Sequence, residues 1–197
     1  MIITREQLKE VTDCNYYSGS VLHSRFAYKF LKKNVSREGN IIAFVAPMEV
    51  EANNLIDLED SINKDYIYSD SAMNFLIEIP DCSLFGGVCF QRLFNAQLGS
   101  LLCTKYLQKE GYVKGDDMMV IDENSTAKKA SVSIAGHTDN TVLIHTGINI
   151  AAGAKAPDFA YSTNLSKEHA DNFMQEAVSI FHGMIHDIHV AVSKVIL

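Results

Sequence analysis

GDDMMVIDENSTAKKASVSIAGHTDNTVLIHTGINI, residues 115–150, contains three strand-like runs separated by two short polar connectors. The runs are rich in β-branched and other apolar residues, as strands are, and cover 118–122, 130–135 and 141–150. The connectors contain the Gly, Asn, Asp, Ser and Thr residues that favour turns. Short turns join antiparallel neighbours, so the stretch predicts a three-stranded antiparallel meander.

Hydrophobic periodicity places helices and further strands around this meander. Apolar residues at helical spacing predict helices at 18–34, at 85–111 and from Ser166 to about Ser193. Short β-branched and aromatic runs predict strands at 40–47 and 75–80, with mostly loop over 48–71. Strands and helices do not alternate regularly. We therefore expect an α+β fold, with an antiparallel or mixed sheet and helices packed on one face.

Length and composition indicate one globular domain over residues 1–197. The chain is 47% hydrophobic and 21% charged, values typical of a folded domain with an ordinary core. It has only three prolines and no Ser/Gly-rich linker that would mark a boundary. The formal net charge of −7 disfavours nucleic acid as a partner, because phosphate binding needs clustered Lys and Arg residues.

The cysteines and the apolar runs bear on location. Cys14, Cys82, Cys89 and Cys103 form no CxxC pair, and the amino terminus does not resemble a secretory leader. This spacing predicts free thiols in a reducing compartment, hence the cytoplasm. No apolar run approaches the roughly 20 residues that a membrane span needs, so we expect no membrane association.

Three segments of the meander resemble the catalytic domain of biotin and lipoate protein ligases, whose fold is shared with class II aminoacyl-tRNA synthetases. Those ligases place an Asn-Asp pair before a strand, then a Lys-containing strand, then a strand ending Gly-hydrophobic-Asn. The corresponding segments here are Gly115–Val120, Lys128–Ile134 and Leu143–Ile150. The order of the predicted elements agrees with the same fold.

The chain is more closely similar to the domain-of-unknown-function family 366, which has this ligase-like fold. The similarity spans nearly the whole chain and is carried by five segments: Gly19–Tyr28, Ile56–Asp60, Gly115–Asp117, Ser131–Ala135 and Ile144–Asn149. It implies the scaffold more directly than it implies a reaction.

The resemblance to ligases implies a small-molecule enzyme, a ligase or transferase that binds a nucleotide or an activated acyl or aminoacyl group. ATP and Mg²⁺ are the cofactors it implies, with acyl-adenylate or acyl-transfer chemistry. Lys129 and Asp117 are then the catalytic candidates, since an ammonium can stabilise charge that develops during acyl transfer. The expected ligand-binding residues are Arg25, Arg92, Asp116, Ser131, Ser133, His145 and Asn149.

Each candidate also has a structural interpretation. Lys129 can be an exposed lysine at a hairpin end, although alternation separates it from Lys128 and only one of the two can face a cleft. Asp116 and Asp117 can be a plain Gly-Asp-Asp turn. Arg92 can be paired structurally, and a lone strand histidine such as His145 is commonly a satisfied core residue.

One departure from the ligases weakens the catalytic interpretation. Where biotin ligases carry an Arg- and Gly-rich loop that clamps the adenylate phosphate, this chain has Ala46–Glu51 followed by Asp57, Glu59 and Asp60. Carboxylates repel phosphate unless a divalent cation lies between them, so these three acids are either a metal site or solvated surface. The alternative function is therefore a non-catalytic member of the fold, a small-ligand-binding protein or a dimeric structural partner.

Three histidines share one face of the last predicted helix: His182, His186 and His189. Spacing of i, i+4 suits a metal ion, but no HExxH arrangement accompanies it. A solvated or subunit-contact face is the alternative, and homodimerisation stays open. The sequence contains no Walker loop, GxGxxG or GxSxG motif.

Overall fold

The computed structural model describes residues 1–51 and 66–194. Within them the helices are α1 Arg5–Thr12, α2 Phe26–Leu31, α3 Leu84–Leu101 and α4 Lys167–Val192. The strands are β1 Asn40–Val50, β2 Ile67–Pro80, β3 Gly111–Lys114, β4 Asp117–Ile121, β5 Ala127–Lys129, β6 Ser131–Thr138 and β7 Thr141–Ala151. A π-helical turn, Leu102–Leu107, continues α3.

The strands form two antiparallel sheets. The larger sheet has the order β1-β2-β7-β6 and the smaller one the order β3-β4-β5. In the larger sheet Phe75 of β2 lies opposite Ala43 of β1 and Thr146 of β7. Because side chains alternate along strands, this register separates the residues of β2 and β7 into two faces.

Each face of the larger sheet has its own buried core. On the face we call the helical face, Phe75 and Ile144 pack with Phe94 of α3 and Phe173 of α4. The opposite face, which we call the N-terminal face, packs under residues 1–31; its buried members include Leu8, Tyr17, Phe26, Phe44 and Leu76. The α+β class is confirmed, with both long helices on one face. The covering of the second face by α1 and α2 was not foreseen from the sequence.

The middle strand of the meander passes from one sheet to the other at Ala130. Its N–H donates to Met118 O of β4 at 2.8 Å, and its carbonyl accepts from Asn149 N of β7 at 2.9 Å. The strand is thereby divided into β5, which pairs with β4, and β6, which pairs with β7. The antiparallel pairing is as predicted, whereas the division between two sheets is a correction to the single meander.

Several element boundaries differ from the sequence prediction. α2 begins at Phe26 rather than near Ser18, because the Glu78 carboxylate accepts the backbone N–H groups of Arg25 at 2.8 Å and Ala27 at 3.2 Å. β1 and β2 extend into the predicted loop, to Val50 and from Ile67.

The predicted long helix also ends earlier than expected. Gln108, with φ 51°, takes the left-handed position that we assigned to Gly111, and Gly111 instead opens β3. A Cβ at Gly111 would meet the Cys103 thiol and would lie 2.6 Å from Met119 O, so the close approach of β4 explains the glycine. The start of α4 is as predicted, with Ser166 capping it through the His169 N–H at 3.2 Å.

Candidate functional site

Lys129 and Asp117 form an ion pair at the edge of the smaller sheet. Lys129 Nζ lies 2.8 Å from Asp117 Oδ1, and both side chains are about one-third exposed. Met118, Val120 and Ala130 belong to the core beneath α3 and α4. Alternation along β4 and β5 therefore directs Asp117 and Lys129 away from that core.

The backbone of Lys129 also pairs with the segment that precedes α4, on the opposite edge of β5 from β4. Lys129 N donates to Phe159 O and Tyr161 N donates to Lys129 O, each at 2.8 Å. Lys128 has the opposite side-chain direction, and its Nζ donates to Asp158 O at 2.7 Å. The two lysines thus have different partners, as expected for neighbours on a strand.

Asn149 lies beside Lys129 across the bend at Ala130. Its N–H donates to Ala130 O at 2.9 Å, and its carbonyl accepts from Thr163 Oγ1 at 2.8 Å. Its side-chain Oδ1 is buried, and none of the described residues donates a hydrogen bond to it. Buried amide oxygens are almost always paired, so this acceptor is notable.

His145 lies four residues before Asn149 on the same N-terminal face. Asn74 Nδ2 donates to Ala46 O and Ala72 O, so the Asn74 oxygen accepts from His145 Nε2 at 3.0 Å. Complete burial lowers the pKa of His145 to about 3, which keeps its imidazole neutral near pH 7. The Tyr17 ring stacks on it, with ring centroids 3.6 Å apart.

Gly147 separates His145 from Asn149 and lets another side chain approach the strand. A Cβ at Gly147 would meet Met48 Sδ and would lie 3.1 Å from His145 Cε1. The thioether of Met48 therefore lies over the strand where the side chain is missing. Tyr17, Asn74 and Met48 escaped the sequence analysis because nothing in their local patterns distinguishes them from ordinary core positions.

A second polar cluster lies on the helical face. Arg92 Nη1 is 3.2 Å from Asp116 Oδ1 and donates to Gln91 Oε1 at 3.0 Å. Gln91 Nε2 donates to Ser133 Oγ at 2.8 Å, and the hydroxyl oxygens of Ser133 and Thr146 lie 2.9 Å apart. Thr146 Oγ1 donates to Asn95 Oδ1 at 2.9 Å, and Asn95 Nδ2 donates to Asp116 O at 3.0 Å. Ser131 Oγ accepts the Met118 N–H at 2.9 Å. These contacts hold the start of β4 against α3. Arg92 is thus paired within the structure, which is the alternative to ligand binding given above for this residue.

The Arg25 backbone is remote from Asn149. Its backbone binds Glu78 on β2, whereas Ala72 is the residue of β2 that lies opposite Asn149. The six-residue separation of Glu78 and Ala72 corresponds to about 20 Å along a strand. The structure pairs Lys129 with Asp117 and joins Asn149 to Ala130, the residue after Lys129, through a backbone hydrogen bond. Arg25 lies outside this group.

The structure describes only one of the two metal candidates from the sequence, the histidines of α4. Asp57, Glu59 and Asp60 lie outside the described residues. On α4, His189 Nε2 lies 3.0 Å from Glu38 O, and His186 Nδ1 lies 3.8 Å from the Glu38 carboxylate. Across 1–51 and 66–194, no three His, Cys, Asp or Glu side chains are grouped as metal ligands.

Replacing His182, His186 and His189 together with Gln is expected to leave metal content unchanged. Among the described residues, the one hydrogen bond of good geometry that these histidines lose is that of His189 to Glu38 O, so stability should fall by about 1 kcal/mol at most. Elemental analysis of the purified proteins and denaturant unfolding measure both quantities. Stoichiometric zinc in the parent protein that disappears in the variant would contradict this expectation.

Comparison with known proteins places the chain in a family. The model described as "Domain of unknown function (DUF366)" matches residues 7–196. The chain belongs to the DUF366 family. No curated protein matches the sequence. Among the described residues, no helix combines the length and the apolar character required to cross a membrane.

One solved structure shares the fold of this DUF366 member, and two ligase structures show lower similarity. A protein of unknown function from Pyrococcus horikoshi is 22% identical, with TM-score 0.79 over 92% of this chain and 93% of that one. A lipoate-protein ligase A bound with ATP is 13% identical, with TM-score 0.49 over 76% and 75%. The biotin protein ligase from Aquifex aeolicus is 13% identical, with TM-score 0.46 over 83% and 64%.

Proposed function

We propose that this DUF366 protein binds an anionic small molecule, a nucleotide or an activated acyl or aminoacyl group, at Lys129. The observation that supports this most is the Lys129 ammonium, held at 2.8 Å by Asp117 at the edge of the smaller sheet. The resemblance of the meander to ligases supports acyl-adenylate or acyl-transfer chemistry. The protein would then be a ligase or transferase.

Lys129 is suited to contact a phosphate or carboxylate oxygen. Its ammonium has three donors, and the pairing with Asp117 uses one acceptor oxygen. The backbone hydrogen bonds to Phe159 and Tyr161 fix the origin of the side chain. A cation fixed before the ligand arrives stabilises charge that develops on an acyl or phosphoryl oxygen without reorganisation of the site.

ATP and Mg²⁺ are the cofactors we propose, and the residues fit a metal held mainly by nucleotide phosphates. Mg²⁺ is commonly bound through one or two carboxylates together with substrate phosphates. Asp117 offers a carboxylate beside Lys129, whereas Asp116 is engaged by Arg92 at 3.2 Å. When bound, Mg²⁺ would neutralise phosphate charge, and Asp117 would orient it.

A non-catalytic ligand-binding role is the alternative, and the position of Arg25 favours it. A site for a polyphosphate normally combines several cations, but the Arg25 backbone is committed to Glu78 at the far end of β2. Such a protein would bind at Lys129 without turnover. Exchange of labelled pyrophosphate into ATP, measured with carboxylic-acid or amino-acid substrates, separates the two roles.

A thermal-shift screen with ATP, Mg²⁺ and non-hydrolysable acyl-adenylate analogues tests binding. A compound that binds only the native state raises the melting temperature, and we expect Lys129→Met to abolish this rise. Lys128→Met is the matched control and should retain the rise, because Lys128 has a different partner, Asp158 O. Equal responses of the two variants would contradict a site at Lys129.

Cytoplasmic location and homodimerisation are also part of the proposal. The four cysteines are free thiols in the structure, which supports a reducing compartment. Light scattering during gel filtration measures the mass directly, and a homodimer would give twice the 21.9 kDa of one chain. A mass of one chain at micromolar concentration would contradict the dimer.

A further inference from the structure

The unpaired oxygen of Asn149 restricts what can bind beside Lys129. Asn149 is only 4% exposed, and no described residue donates to its Oδ1. A buried carbonyl-type oxygen requires a donor, an N–H or O–H group. Phosphate and carboxylate oxygens are acceptors when ionised, so the anionic part of a ligand cannot itself satisfy Asn149.

A ligand that contacts both Lys129 and Asn149 needs its donor close to its anionic group, because the two residues adjoin in the backbone. Asn149 N is 2.9 Å from Ala130 O, and Ala130 adjoins Lys129. Directly opposed strand residues have Cα atoms about 5 Å apart, and consecutive ones lie about 3.8 Å apart. A donor on a distant part of a nucleotide, such as the base, does not meet this condition when the phosphate is at Lys129.

Charges of both signs are available at this place. Lys129 presents an ammonium and Asp117 a carboxylate, each about one-third exposed. The neighbours of Asn149 on the same face, Ala72 and Gly147, bear no charge, and the Met48 thioether covers Gly147. A small zwitterion matches this distribution, with its carboxylate at Lys129 and its ammonium at Asn149 Oδ1 and Asp117.

We infer that the ligand at Lys129 is an α-amino acid with an uncharged side chain, or its activated aminoacyl form. This rests on the proposed function and selects one of the ligand classes named there. In an α-amino acid a single carbon separates the ammonium from the carboxylate, a spacing that suits residues joined by the backbone bond between Asn149 and Ala130. A fatty acyl group lacks the donor.

Isothermal titration calorimetry with matched compounds tests the inference. The probes are L-leucine and L-phenylalanine, their deaminated acids 4-methylpentanoate and 3-phenylpropanoate, and their decarboxylated amines 3-methylbutylamine and 2-phenylethylamine. Each is titrated with and without Mg²⁺ and ATP. We expect an amino acid to bind at least about tenfold more tightly than its deaminated acid, because a hydrogen bond to a charged group is lost. The amines should bind more weakly still.

Variants assign the preference to residues. Asn149→Leu should reduce the affinity ratio of amino acid to deaminated acid to about one, while weak carboxylate binding remains. Asn149→Asp retains an acceptor and should preserve the ratio, which controls for misfolding. Lys129→Met should abolish binding of both compounds, and Lys128→Met should alter neither.

The outcomes separate this inference from the proposed function. Suppose that the deaminated acids bind as tightly as their amino acids and that Lys129→Met abolishes this binding. The amino-acid assignment would then be overturned, while the proposed site at Lys129 would stand. The same would follow from adenylate analogues that bind in a Lys129-dependent manner while no amino acid binds. Absence of Lys129-dependent binding by every probe would contradict both.

Discussion

Gly87→Ala is expected to be about 2 kcal/mol less stable than Gly86→Ala, since overpacking a core costs roughly 1–3 kcal/mol and both variants gain the helix propensity of alanine. A Cβ at Gly87 would meet Val142 Cγ1 and lie 2.6 Å from Cγ2 and 2.9 Å from Cβ. Val142 is fully buried on β7, and its β-branched side chain has little rotameric freedom. The added methyl group must therefore displace α3 from the sheet.

Gly86→Ala is the matched control on the preceding residue of α3. Its Cβ would approach only the Cys82 thiol at 3.2 Å and the Ser83 hydroxyl at 3.4 Å. Alanine is favoured over glycine in helices by about 1 kcal/mol, so this variant should be as stable as the parent or more so. Urea unfolding compares the two. A Gly87→Ala protein as stable as Gly86→Ala would show that α3 does not contact β7 this closely.

Acidification is expected to destabilise the protein through His145. Its pKa is about 3 in the folded chain, against a normal value of 6.5, so the unfolded state binds the proton more readily between these limits. The stability contributed by neutral His145 is complete above pH 6.5 and is lost progressively as the pH falls towards 3. Between pH 7 and pH 4.5 this amounts to roughly 2 to 3 kcal/mol.

His145→Gln isolates this contribution from other titrating groups. A glutamine side chain does not titrate over this range. Tyr17, the neighbour of residue 145, stays neutral because burial raises the pKa of its phenol. Between pH 7 and pH 4.5 the free energy of unfolding should fall by roughly 2 to 3 kcal/mol less in the variant than in the parent. Parallel pH profiles of the two proteins would mean that His145 is accessible to protonation in the native state.

The sequence was most informative where a pattern is local. Ser166 caps α4 as predicted, and the runs at 118–122 and 141–150 form strands. The division of the middle strand at Ala130 depends on hydrogen bonds to Met118 and Asn149, which are distant in the chain. Hydrophobic alternation cannot reveal such a bend, because both halves of the strand continue to alternate.

The candidate site was predictable only in part for the same reason. The pairing of Lys129 with Asp117 follows from two neighbouring strands of the meander, and its residues were all candidates. The arrangement of Tyr17, Asn74 and His145 combines the N-terminal segment, β2 and β7. Arg25 was selected as an anion-binding residue from its place before a helix, whereas the register of β2 puts it at the far end of the sheet.

Nitrogen-15 NMR titration measures most directly whether an anionic small molecule binds where Lys129 and Asn149 meet. Spectra of the labelled protein would be recorded with Mg²⁺–ATP and with a non-hydrolysable aminoacyl-adenylate analogue. We predict saturable shifts of the amide signals at 117, 129–130 and 147–149. The amide signals of residues around the exposed ion pair between Lys105 and Glu176 of α4 should not shift. Shifts confined to that second region, or scattered without saturation, would contradict a ligand site at Lys129.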